Sequence, residues 1–65
     1  MNNNIRHLRE TQNLTQQDLA DKLGVSRQTI ISLENGRYNP SIMLAYRISK
    51  IFDLNIEEVF LFEEE

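Results

Sequence analysis

The 65-residue chain has no cysteine, so disulfide staples and thiolate metal sites are excluded. Its one histidine, His7, has no carboxylate constellation beside it, and it reads as a solvated helix residue rather than a metal ligand or a catalytic group. Apolar runs such as Val59-Phe60-Leu61-Phe62 fall far short of the roughly 20 residues that cross a bilayer, so no membrane segment is expected. Met1 is followed by three asparagines and no apolar stretch, which is not the pattern of an export signal. With no cysteine, this points to a cytoplasmic protein. A chain this short buries only about 60% of the surface its unfolded form exposes. Oligomerisation is the expected further source of stability.

Charge is unevenly placed. All seven basic residues lie at or before Lys50, and residues 1–56 carry 7 basic and 5 acidic groups, formally +2. Residues 57–65 carry -5, from Glu57, Glu58, Glu63, Glu64 and Glu65. The global -3 therefore reflects the C-terminus. It argues against a sequence-blind polycation without excluding nucleic acid.

What remains is helical. The only glycines are Gly24 and Gly36 and the only proline is Pro40, and between them the apolar spacing has a helical period. A first helix is expected over about residues 3–12, with Ile5 and Leu8 inward. Thr15 and Asp18 form a capping pair that opens a second helix, with Leu19, Ala20 and Leu23 buried and Gly24 as its left-handed stop. Ser26 caps a third helix, with Ile30 and Leu33 inward and Gly36 at its end. Ser41 caps a fourth, reaching about Phe52, whose core face is Leu44, Ala45, Ile48, Ile51 and Phe52. Asn55 and Glu58 signal a short fifth helix. Phe60 and Phe62 alternate with Leu61, which allows a short C-terminal β-strand. The expected fold is all-α: five short helices in a single domain over residues 1–65, with a helix-turn-helix unit over about residues 15–34.

The run Leu14-Thr15-Gln16-Gln17-Asp18-Leu19-Ala20-Asp21-Lys22-Leu23-Gly24-Val25-Ser26-Arg27-Gln28-Thr29-Ile30 continues through Ser32-Leu33-Glu34-Asn35-Gly36-Arg37. It strongly resembles the phage-repressor and Cro type of helix-turn-helix regulators, also called lambda-repressor-like or Xre. The likeness extends from about Ile5 to Phe60. Val25 to Ile30, taken with Tyr38-Asn39-Pro40-Ser41, is similar to a subgroup of very small bacterial and phage regulators. The resemblance implies sequence-specific binding of double-stranded DNA, with the third helix in the major groove.

Carried onto this sequence, Arg27 and Gln28 are the leading candidates for base contacts, with Ser32 one turn on and Thr29 a weaker candidate. Arg suits the O6 and N7 of guanine, and Gln suits the N6 and N7 of adenine. Arg27 also sits where a helix dipole disfavours a cation, a local conflict that points to function. Gln16 is a phosphate candidate at the start of the second helix, joined by Gln17, Ser26, Asn35, Arg37 and Tyr38. On composition alone Gln16, Gln17 and Gln28 could equally be solvated helix residues, and the resemblance favours the functional reading of Gln28; Tyr38 could pack on the fourth helix. The resemblance pairs Arg9 with Glu34 as a structural salt bridge. Ile31 falls near the exposed side, where it either meets a thymine methyl or stands as a lone exposed apolar residue.

One reading helix covers few base pairs, so two copies about one helical turn apart are expected on a palindrome. The resemblance places the dimer interface in a segment of about residues 54–62, at Ile56, Val59, Phe60 and Leu61, aided by Asn39. Phe60 is expected mostly inward, and the glutamate tail off the DNA. These features together point to a homodimeric transcriptional regulator, a repressor acting by occlusion, with no cofactor, small-molecule ligand or enzymatic activity. The alternative is an interaction module on the same fold that binds another regulator or a toxin.

Overall fold

In a computed structural model that describes residues 2–62, the chain forms five helices: α1 (Ile5–Thr11), α2 (Gln16–Leu23), α3 (Arg27–Glu34), α4 (Ile42–Ile51) and α5 (Ile56–Val59). The glutamates 63–65 lie outside the described residues, and with them the expected role of the tail.

The helix starts follow from side chains that satisfy free first-turn amides. Asp18 N donates to Thr15 Oγ1 and Thr15 N to Asp18 Oδ2, both at 2.9 Å, completing a reciprocal box at α2. Thr29 N donates to Ser26 Oγ at 3.2 Å, and Leu44 N to Ser41 Oγ at 3.1 Å. Asn55 N donates to Glu58 Oε1 at 2.9 Å to fix the single turn of α5.

The first four helices share one ending. Each has a left-handed residue just past its end: Asn13 (φ 60°), Gly24 (φ 71°), Gly36 (φ 75°) and Asp53 (φ 56°). The following amide reaches back to a carbonyl in the last turn: Leu14 to Arg9, Val25 to Ala20, Arg37 to Ser32 and Leu54 to Ser49, at 2.9–3.1 Å. This is the Schellman closure, in which the residue after the left-handed one commonly packs back on the helix as an apolar contact. Leu14, Val25 and Leu54 do so, half-buried against the core. Arg37, the fourth, is exposed.

One core joins all five helices: Ile5, Leu19, Ala20, Leu23, Ile30, Leu33, Ala45, Ile48, Phe52, Val59 and Phe60. Ala20 is fully buried where α2 and α3 pack, and the tight turn 24–26 sets α3 across α2 with its other face outward.

Two details differ from the sequence expectations, for one reason. α1 begins at Ile5 rather than Asn3, and residues 60–62 form no strand beyond a single antiparallel bridge, Asn3 to Phe60. The amino-terminal asparagines are occupied in tying the two ends of the chain together. Asn4 N donates to Val59 O at 2.8 Å and Leu61 N to Asn2 O at 2.9 Å. Asn4 Nδ2 donates to Glu58 O at 3.2 Å, and Asn3 Nδ2 to Leu33 O at 2.8 Å. Asn3 Oδ1 accepts from Ile5 N, so the same side chain opens α1 and anchors it to α3.

Candidate nucleic-acid interface

α3 presents its surface from a backbone held at both ends. Ser26 caps its start, and the closure through Gly36 and Arg37 fixes its end. Ile30 and Leu33 bury the inner face. Arg27 and Gln28 are exposed, whereas Thr29, Ile31 and Ser32 are half-buried. Ile31 is thus neither a core residue nor fully solvated.

Behind α3 lies a buried polar network. Arg9 Nε donates to Glu34 Oε2 at 2.6 Å, and Arg9 Nη1 donates to Leu14 O at 2.8 Å. Gln16 Nε2 donates to Glu34 Oε1 at 3.1 Å. The carboxylate raises the affinity of the Arg9 guanidinium for its proton above the usual arginine value, mainly through the hydrogen bond and against the opposing effect of burial. Glu34 is the one acid in α3, and its charge is neutralised on the inner side. The outward face of α3 therefore carries Arg27 with no competing acid of its own helix, an arrangement suited to an anionic partner.

All the candidate residues except Ser26 and Asn35 line one of two concavities that include residues of α3. A wide concavity of about 760 Å³ is lined by Gln16, Gln17 and Arg27, together with Thr15 and the end of α1. A second, of about 290 Å³, is lined by Gln28, Thr29, Ser32, Arg37 and Tyr38. Several candidates already have local duties. Gln17 Nε2 donates to Asp21 Oδ1 at 2.9 Å, Ser26 Oγ caps α3, and the hydroxyls of Ser26 and Thr29 share a 3.0 Å hydrogen bond. Asn35 is exposed as the cap residue at the end of α3. Tyr38 is 42% exposed and borders the second concavity.

The candidate dimer residues divide differently. Val59 and Phe60 are 0% and 1% exposed, so both belong to the core of the single chain. Ile56 is half-buried, and Leu61 and Asn39 are exposed. Sequence reasoning missed the larger apolar surface beside them. Ile42, Met43, Tyr46 and Phe62 are all exposed, Ile42 by 78%. An apolar hollow of about 240 Å³ lies among Pro40, Ile42, Ala45, Ile56, Phe60 and Phe62. The signal was present: α4 reads Ile-Met-Leu-Ala-Tyr at its start, more apolar residues than one buried stripe can use.

With this geometry in view, the likeness to known proteins is specific. The helix-turn-helix family model matches residues 5–59, and the chain belongs to that family. An uncharacterised helix-turn-helix type transcriptional regulator of Methanocaldococcus jannaschii is 52% identical over 65 residues, covering all of this chain and 98% of its own. Another, from Archaeoglobus fulgidus, is 48% identical, covering all of this chain and 92% of its own. The crystal structure of the restriction-modification controller protein C.AhdI from Aeromonas hydrophila superposes with a TM-score of 0.77 at 28% identity, over 86% of this chain and 85% of that one. The fold and these relatives place the chain among DNA-binding transcriptional regulators of the helix-turn-helix type.

Proposed function

We propose that the protein is a sequence-specific regulator that binds a palindromic operator as a homodimer and represses transcription by excluding polymerase from an overlapping promoter. The observation that carries this reading is the outward face of α3. Exposed Arg27 and Gln28 stand at its first turn, on a helix whose single acid is neutralised from behind by Arg9. Arg27 and Gln28 read base edges in the major groove, with Thr29 and Ser32 in supporting roles. Gln16, Gln17, Ser26, Asn35 and Tyr38 set the register against phosphates. The two-fold partner docks through Asn39, Ile56 and Leu61, extended by Ile42, Met43 and Phe62. An apolar surface of this kind marks association, and an isologous seam spaces two α3 helices for one turn of DNA. The work needs no catalytic group and no cofactor, and it is done in the cytoplasm.

Selection of the purified protein on random duplex DNA tests the proposal. Enrichment of an inverted repeat with half-sites about one helical turn apart is expected. Enrichment of a lone half-site would remove the dimer from the reading. No enrichment at all would favour the protein-interaction module.

A further inference from the structure

The four Schellman closures differ in one respect. After α1, α2 and α4 the residue following the left-handed position is Leu14, Val25 or Leu54, each packed on the core. After α3 it is Arg37, which is exposed and makes no ion pair among the described residues. A position that ordinarily stabilises a helix end by an apolar contact is here given to a cation. Such a departure from local consistency is expected where function overrides packing. The Arg37 backbone is nonetheless fixed, because its amide donates to Ser32 O at 3.1 Å. Its side chain borders the concavity lined by Gln28, Thr29, Ser32 and Tyr38, the polar side of the recognition helix away from Arg27.

From this we infer that Arg37 is a specificity-determining residue: it enters the major groove beside Gln28 and Ser32 and reads a guanine, rather than only anchoring a phosphate. The inference rests on the proposed operator binding and deepens it. A guanidinium donates in parallel to O6 and N7 of guanine through a rigid planar fork, whereas a lysine ammonium reaches the same acceptors only as a point charge on a flexible stem. A backbone tied to α3 holds the donor in register with the other readers.

The test uses the full chain, the operator recovered by selection, and every single-base-pair variant of one half-site. R37A and R37K are compared with the unaltered protein at several salt concentrations. Both variants are expected to lose roughly tenfold or more of the preference at one G·C pair while keeping the preferences at other positions. R37K is expected to retain the salt slope without restoring that preference. A uniform loss across all variants with R37A, restored by R37K, would overturn the inference and make Arg37 a phosphate contact. Unchanged binding by both variants would overturn it as well. Should the unaltered protein show no preferred sequence, the operator reading fails first, and this inference falls with it.

Discussion

Arg9 of α1 and Glu34 at the end of α3, 25 positions apart in sequence, meet at 2.6 Å, with side chains 10% and 5% exposed. The pair connects α1 to the last turn of α3, and Gln16 joins the same carboxylate from the start of α2. Three helices thus share one charged centre. Replacing Arg9 by methionine leaves Glu34 buried without its counter-charge. The expected cost is about 3 kcal/mol, at the low end for a broken buried pair. The double replacement R9M/E34L is expected to recover much of that loss, because two apolar groups leave no orphaned charge. Urea unfolding of the two variants, compared with the unaltered chain, measures both effects.

Gly24 sits at φ 71°, and a Cβ built there meets nothing within 4 Å. The cost of Gly24→Ala is therefore conformational rather than steric. A non-glycine residue held in the left-handed region loses about 1–2 kcal/mol. A drop of that size in chemical denaturation, with an unchanged helical circular dichroism signal, is expected.

The Asp18 carboxylate accepts from the backbone and hydroxyl of Thr15, which hold it below its usual value of 3.8. The sign follows from linkage. A carboxylate whose folded value is depressed contributes stability above its unfolded value and loses it as pH falls through the folded value. Thermal stability measured downward from pH 5 is expected to fall with a component that D18N abolishes. An identical pH profile in D18N would assign the acid sensitivity to other carboxylates.

Two phenylalanines two residues apart differ sharply in burial. Phe60 is 1% exposed and Phe62 is 60% exposed. Phe60→Ala is expected to destabilise the fold by about 3–5 kcal/mol. Phe62→Glu, and likewise Ile42→Glu, is expected to leave the fold intact and shift the molecule towards monomer. Sedimentation at low concentration checks this, and an intact dimer in both charged variants would place the seam elsewhere.

Much of this was legible in the sequence because it is written in local chemistry. Thr15, Ser26 and Ser41 marked helix starts, Gly24 and Gly36 marked ends, and the helical spacing of Leu19, Leu23, Ile30 and Leu33 marked the inner faces. Long-range pairing was not legible in the same way. Nothing local in Asn2-Asn3-Asn4 announces that the Asn2 carbonyl and the amide and side chain of Asn4 bond to residues 58–61, a pairing that goes with the later start of α1 and with a single bridge in place of the short terminal strand that the alternation of Phe60 and Phe62 allows. The inward placement of Phe60 is legible from its apolar run, but that run alone does not say that Val59 and Phe60 are both consumed by the core while Leu61 and Phe62 stay exposed. The left-handed ends at Asn13 and Asp53 have no such glycine marker in the sequence, since asparagine and aspartate adopt that conformation less often than glycine. Arg9 and Glu34 were paired only by family resemblance; their 2.6 Å contact is a property of how α1 and α3 cross.

The most direct measurement is the affinity of the unaltered chain and of R27A/Q28A for the selected operator and for a scrambled duplex, across a salt series. The unaltered chain is expected to prefer the operator by 10³-fold or more, roughly the range of specific over non-specific binding. The double variant, still helical, is expected to bind both duplexes alike, with most of its salt dependence retained because phosphate contacts remain. A double variant that keeps the operator preference would contradict the assignment of Arg27 and Gln28 as base readers and move sequence recognition away from the first turn of α3.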